Sequence, residues 1–261
     1  MVSFFKKLTD RLFARSGSRS TALYLVPHQD DELLSMGVDI CRSMASGDAE
    51  VHVILFTDGS KSNMRRRICD GKNCPFHEGI HQYALEIPEF VQARDREFLA
   101  SCQTLGVPAA NIHFLPRRAI DGALDQNEAE NAIVNMLKAY SGNVTLCTIA
   151  PFGGAGQHQD HRILGQAAVN LYQKRVVSNL KLFIEPYCMA SSREAFPDLK
   201  IHELTADETA LASLKQAADA YSLWKPEEGR YAIGYHSVHQ SFREYLQNPR
   251  GYLLTHSELP Q

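Results

Sequence analysis

The chain has 261 residues, 44% of them hydrophobic and 22% charged, with 27 Lys plus Arg against 30 Asp plus Glu for a net charge of −3. That balance is globular: it excludes a disordered or collagenous chain, and no apolar run approaches the roughly 18 residues of a membrane-spanning helix. A slightly negative chain without a basic, aromatic-interleaved face is a poor nucleic-acid binder, so no nucleic-acid partner is expected.

In chain order, residues 1–20 read as a segment apart. Phe4, Phe5, Leu8, Leu12 and Phe13 recur at helical spacing with Lys6, Lys7, Arg11 and Arg15 between them. This is the pattern of a short basic amphipathic helix, which either docks on protein or touches an anionic membrane surface through residues 1–15. It lacks the apolar run and cleavage site of a secretory signal, so a cytoplasmic location is expected, with peripheral membrane contact left open. The six cysteines, Cys41, Cys69, Cys74, Cys102, Cys147 and Cys188, are too sparse for a disulfide scaffold and suit a reducing compartment.

Residues 21–261 are expected to form one domain. Short β-rich apolar runs alternate with helical stretches, the signature of βαβ units. Strands are predicted at Ala22–Val26, Val51–Phe56, Asn111–Leu115, Val144–Ile149 and Leu182–Ile184. The helices between them are predicted at Glu32–Ser46, Val91–Leu105, Glu128–Tyr140 and His161–Gln173. The fold class is therefore α/β, a Rossmann-like and mostly parallel sheet with helices on both faces. Ser60–Pro88 breaks the alternation, and a loop this long is usually functional or mobile. A further helix is expected at Ala206–Leu223, and Lys225–Phe242 reads as strands or loops capping the domain.

An open parallel sheet binds ligands beyond the carboxyl ends of its strands. Two of those turns are unusual. The first strand runs into Pro27-His28-Gln29-Asp30-Asp31-Glu32, a histidine followed by three carboxylates with no basic residue among them. Crowded carboxylates raise one another's pKa unless a cation is present. Helix capping by Asp30 or Asp31 is the plainer reading, but one cap accounts for neither His28 nor three acids. The fourth strand runs into a glycine-rich link, Phe152-Gly153-Gly154-Ala155-Gly156, and then His158-Gln159-Asp160-His161. The link lacks the spacing of a dinucleotide fingerprint and the lysine of a Walker loop. Zinc accepts imidazole nitrogen and carboxylate oxygen, and a catalytic site keeps three protein ligands with one open position. His28, Asp31 and one of His158 or His161 supply such a set.

These paired motifs resemble the zinc-dependent N-deacetylases of the LmbE-like, or PIG-L, family. Phe56-Thr57-Asp58-Gly59, then Arg94 with Glu97 and Leu105-Gly106-Val107, extend the resemblance, which runs from about Leu23 to Gly165. It implies that His28, Asp31 and His161 bind zinc, or another divalent transition metal such as iron(II) or cobalt. It further implies that Asp30 is the general base and that His158 stabilises the oxyanion or protonates the leaving amine. Asp160 would orient or tune His158, and Arg94 would contact substrate. The chain departs from the family at Gln29 and Gln159, where proline is usual, and at Gly156, where some members carry tyrosine.

The 60–88 loop emerges at the same sheet edge with Lys61, Arg65, Arg66 and Arg67, placing Arg65 among the candidate substrate contacts if the loop is a lid rather than a solvated excursion. Cys69, Cys74, His77 and His81 within it read as a structural zinc site, a disulfide or a metal-free loop. Tyr235-His236-Ser237-Val238-His239 either walls the pocket or carries ordinary surface histidines, and Trp224 packs in the core or at an interface.

The expected function is therefore zinc-dependent removal of an N-acetyl group from an amino sugar, a glycoconjugate or a glycolipid. The rivals are an amidase acting on a thiol conjugate or antibiotic precursor, a non-catalytic metal- or ligand-binding protein, and a nucleotide-binding α/β domain. A homo-oligomer is left open.

Overall fold

The computed structural model describes residues 20–255. The basic segment read at residues 1–20 thus lies outside the described residues, apart from Ser20. In chain order the elements begin β1 (Ser20–Val26), α1 (Asp31–Leu34), α2 (Gly37–Ser46), β2 (Ala49–Thr57), α3 (Met64–Ile68), α4 (Ile87–Thr104) and β3 (Ile112–Ala119). Next come α5 (Gln126–Leu137), β4 (Val144–Ile149), α6 (Gln159–Gln173), β5 (Asn179–Phe183), α7 (Met189–Ala195) and β6 (His202–Thr205). The chain closes with α8 (Glu208–Ser222), β7 (Trp224–Lys225), β8 (Arg230–Tyr231), α9 (Ile233–Ser237), α10 (His239–Gln247) and β9 (Arg250–Thr255).

Seven strands form one sheet in the order β3-β2-β1-β4-β5-β9-β6, while β7 and β8 make a separate ribbon. β1 to β5 are parallel, and β9 pairs antiparallel with both β5 and β6. The central strands are buried on both faces, which is why they read as unbroken apolar runs. Within β1, Ala22, Tyr24 and Val26 face a core built with Ile40, Phe98, Leu214 and Phe242 of α2, α4, α8 and α10. Leu23 and Leu25 face the opposite core, with Ile133 of α5 and Leu164 and Ala168 of α6. Helix α6 lies close on the sheet at Gly165, where an added Cβ would come within 2.4 Å of the Ile149 carbonyl oxygen. A larger residue there would push the second motif away from its strand.

The predicted helix Glu32–Ser46 is two helices, broken at Ser35 and Met36. The break lets Gly37 approach Tyr245 and Leu214, contacts that no local periodicity encodes. α4 begins earlier than its apolar pattern suggests, because Glu86 and Glu89 form a capping box with Pro88 in the first turn. The 60–88 stretch contains α3, and Met64 and Ile68 share a small core with Phe90 and Ile233. Beyond Glu185 the unforeseen strands β6 and β9 complete the sheet, since their apolar residues alternate too briefly to stand out.

Candidate active site

The strand order reverses direction between β1 and β4, so the turns that follow these neighbouring strands open into a common crevice. That places His28, Asp30 and Asp31 opposite His158, Asp160 and His161. They line a cavity of about 820 Å³, apart from Asp160, which is fully buried beneath it. The size suits a small-molecule ligand.

Three donor atoms converge at the floor. His28 Nδ1 is 2.9 Å from His161 Nε2, which is 3.0 Å from Asp31 Oδ2, and Oδ2 is 3.5 Å from His28 Nδ1. A tetrahedral ion with bonds of about 2.0–2.1 Å holds its ligand atoms about 3.3 Å apart, so this triangle already has the size of one face. The outer nitrogens explain why the inner ones face each other. His28 Nε2 lies 3.0 Å from Asp160 Oδ2, and His161 Nδ1 donates to the Glu185 carboxylate. With both outer N–H groups engaged, the 2.9 Å line between the two inner nitrogens has room for one proton at most, and a metal ion fits the shared position. His158 also lies near His28 and His161. Its Nδ1, however, accepts the Asp160 backbone N–H at 3.2 Å, so the carboxylate of Asp31 is the better third ligand.

Electrostatics match. Burial alone would lower His28, but hydrogen bonds to Asp121, Asp160 and Asp31 outweigh it and carry the ring well above its ordinary value. Burial also opposes protonation of His161, yet Asp31 and Glu185 raise it to about 9. Asp31 is held far below the carboxylate range despite its burial, because His161 and His28 face it. The site is therefore built to hold positive charge, and binding a metal displaces protons from it.

Asp30 sits apart from the triangle. Its φ of 109° is a left-handed conformation that costs a non-glycine residue about 1–3 kcal/mol. The strain is braced from three sides: the Asp30 backbone N–H donates to Glu32 at 3.0 Å, Tyr221 donates to the same carboxyl at 2.6 Å, and Arg94 lies 3.8 Å from Asp30 Oδ2. Burial and neighbouring Asp31 push the Asp30 carboxyl up to about 7, against the pull of Arg94.

Several residues stand differently from expectation. The Asp160 carboxylate makes its close contact with His28, at 3.0 Å, and stays 3.9 Å from His158, so the side chain orients His28 while the backbone N–H holds His158. The reason is that Gly122 and Leu124 donate backbone N–H groups to the Asp160 carboxylate and turn it toward β1. Arg94 borders the cavity, but its Nη1 and Nη2 donate to the carbonyls of Gly59 and Gln29, which makes it a brace for the first motif instead of a free substrate contact. Arg65 turns inward to the Leu85 carbonyl at 3.0 Å, and Arg67 lines the cavity in its place. The glycine link is tied down: Gln157 bonds Gly153 and Ala150, and Ser191 donates to the Gly153 carbonyl. Gln29 is fully buried and bonds Asp58 and Asp95, replacing a proline's rigidity with hydrogen bonds. Gln159 opens α6, where the backbone N–H needs no helical partner in any case.

Sequence reasoning missed Glu185, Asp121 and Tyr187. Glu185 and Tyr187 follow β5, the strand beside β4, so the strand-end rule that found the motifs points to them as well. Asp121 Oδ1 lies 3.4 Å from His28 Nε2 and 3.8 Å from His158 Nε2, brought there by the turn after β3. Tyr187 lines the cavity with its hydroxyl 3.4 Å from Glu185.

Two imidazoles and a carboxylate converging on one point, with a spare carboxylate and a spare histidine alongside, define the class of metal-dependent hydrolases. The chain belongs to the PIG-L family, whose model, described as GlcNAc-PI de-N-acetylase, matches residues 23–172. It is accordingly a metal-dependent N-deacetylase. Among solved structures it is similar to a deacetylase triple mutant of the teicoplanin biosynthetic pathway (17% identity, TM-score 0.61, covering 92% of this chain and 100% of that one). It is also similar to N,N'-diacetylchitobiose deacetylase from Pyrococcus horikoshii (17% identity, TM-score 0.59, covering 97% of this chain and 91% of that one). The same fold carries other chemistry, in 4-carboxy-2-hydroxymuconate hydratase from Pseudomonas putida KT2440 (13% identity, TM-score 0.54, covering 93% of this chain and 97% of that one). No curated protein matches the chain in sequence. Likeness at these identities establishes the fold, so the residue roles rest on the site.

Proposed function

We propose that this protein removes the acetyl group from the nitrogen of an amino sugar or glycoconjugate, using a zinc ion held by His28, Asp31 and His161. The observation that carries the reading is the triangle of donor atoms at the cavity floor with Asp30 and His158 beside it. A divalent ion bound there supplies Lewis acidity, polarising the amide carbonyl and lowering the pKa of water toward 7. Asp30 takes the proton of the attacking water and returns it to the leaving nitrogen, so acetate and a free amine result. The strained turn aims its carboxylate into the cavity, where Arg94 holds it in place. Burial, with His28 and His161 nearby, lowers the pKa of His158, so its ring is neutral near pH 7. A neutral ring whose Nδ1 is accepting keeps its proton on Nε2, suiting it to donate to the oxyanion rather than to protonate the amine.

The substrate class follows from the walls. Ser237, Ser241, Glu244, Asn248 and Arg250 line one side of the cavity, a hydrogen-bonding surface suited to hydroxyls, and Tyr187, 58% exposed, offers a ring face. Two of the neighbours are named as deacetylases of teicoplanin and of N,N'-diacetylchitobiose, and the family description names a GlcNAc conjugate. All six cysteines are free, which supports a reducing cytoplasm. Among the described residues no helix is long and apolar enough to cross a membrane.

Acetate release from a panel of N-acetylated amino sugars, read beside metal content, tests the proposal. Asp30→Asn is the right variant because Asn tolerates a left-handed backbone. It is expected to keep the metal and lose about 10²–10⁴-fold in kcat. Acetate from none of the panel with the wild type would overturn the sugar assignment, and near-normal turnover by Asp30→Asn would overturn the base.

A further inference from the structure

The 60–88 loop hides a second constellation. Cys74, His77 and His81 meet His236 of α9, and one donor atom from each lies within 4.8 Å of the other three. Cys74 Sγ is 3.1 Å from His236 Nε2, and His77 Nε2 is 3.3 Å from His81 Nε2. Cys69, grouped with Cys74, His77 and His81 in the sequence, instead turns its thiol to the Tyr83 carbonyl.

The hydrogen bonds around the cluster are what point to a ligand. Each histidine has its Nδ1 at a backbone carbonyl: His77 at Glu78 (3.1 Å), His81 at Arg67 (3.2 Å) and His236 at Ala232 (2.6 Å). A carbonyl only accepts, so every Nδ1 carries its proton and every neutral ring presents a bare Nε2 to the same point. The Cys74 thiol can donate to His236 Nε2, but the Nε2 lone pairs of His77 and His81 still face each other at 3.3 Å, a repulsion that a cation between them removes. Phe76 donates its backbone N–H to Cys74 Sγ at 3.3 Å, the kind of bond that stabilises a thiolate. His81 and His236 are 5% and 2% exposed, so little water reaches the cluster to solvate these nitrogens. Trp224 stacks on the His77 ring at 3.7 Å and shields the cluster.

We propose that Cys74, His77, His81 and His236 form a closed tetrahedral site for a structural zinc ion, separate from the catalytic centre. One thiolate and three imidazoles fill all four positions and leave none for substrate, the hallmark of a structural site. The ion ties the 60–88 loop to α9. The loop contributes Lys61 and Arg67 to the cavity mouth, and Ser237 and Val238 follow His236 into its wall, so the same ion holds two walls of the active site together.

Cobalt(II) separates the two centres, because only a thiolate-bearing site gives a sulfur-to-cobalt charge-transfer band in the near ultraviolet. Full-length protein stripped with a chelator and titrated with cobalt(II) is expected to bind two equivalents, one of them producing that band. Cys74→Ser is expected to lose the band and one equivalent, while His28→Ala loses one equivalent and keeps the band. His77→Gln, at the rim of the cluster, retains the thiol and is expected to weaken cobalt binding at this site at least tenfold, a second reading should Cys74→Ser fail to fold. No band in the wild type, or a band that survives in Cys74→Ser, overturns the proposal. Loss of acetate release with the band intact bears on the catalytic reading alone.

Discussion

The two His-rich regions of this molecule are built by one rule and put to different ends. At the sheet edge, His28 and His161 are oriented by carboxylates, Asp160 and Glu185, and share their focus with Asp31. Under the 60–88 loop, the histidines are oriented by backbone carbonyls and share theirs with a thiol. Carboxylate partners add negative charge and raise ligand basicity, and three ligands leave a position open. Carbonyl partners add no net charge, and four ligands close the shell. Under the two assignments proposed above, nearby anions and an open position mark the reactive centre, whereas the number of histidines does not.

The largest effect that tests this contrast falls on His158, which has no counterpart in the loop cluster. His158→Gln is expected to lower kcat by about 10²–10³-fold with little change in KM or metal content, the signature of an oxyanion donor. A proportionate rise in KM instead would make it a binding residue. Next, Glu185→Gln exchanges the anionic partner of His161 for a neutral one and is expected to weaken metal affinity at the catalytic centre about 10–100-fold. Cobalt titration should show the weakened equivalent to be the one without the thiolate band. Equal weakening of both would dissolve the distinction between the centres.

A further prediction concerns the stacked pair His52 and His113. His52 is 3% exposed, with His113 stacked on it, Tyr140 at its edge and Glu50 3.7 Å from Nε2. Burial and His113 lower its pKa from 6.5 to about 3. Between those values the unfolded chain binds the extra proton, so the stabilisation is present above pH 6.5 and lost as pH falls toward 3. The slope contributed is up to about 1.4 kcal/mol per pH unit. Denaturant midpoints of wild type and His52→Gln from pH 7 to 4 should converge as the pH falls. Parallel curves would show that this buried pair stays outside the titration.

Much of the fold was legible because its signals are local. Apolar runs of β1, β2 and β4 are continuous since both faces are buried, and the helices between them carry a clean 3.6-residue period. The short strands β6, of 4 residues at the sheet edge, and β9, of 6 residues between β5 and β6, escaped because so short a run leaves too little pattern. The site was half legible. Two motifs at the ends of adjacent parallel strands were bound to converge, so their histidines and carboxylates were found. The partners that orient them were not, since Asp121 and Glu185 come from turns with no motif of their own.

Local chemistry thus determined, from the sequence alone, a doubly wound sheet, its two chemical turns and the metal-binding character of one sheet edge. Only the tertiary structure decided that Asp160 serves His28, that Arg94 braces Asp30, that Arg67 displaces Arg65 at the cavity, and that His236 completes the loop cluster where Cys69 had seemed to belong. His236 lies 162 residues from Cys74, and the two meet because α9 packs against the loop over the apolar contacts of Ile233, Met64 and Ile68. Residue type and spacing are written along the chain, whereas which nitrogen faces which oxygen depends on the packing that brings distant segments together.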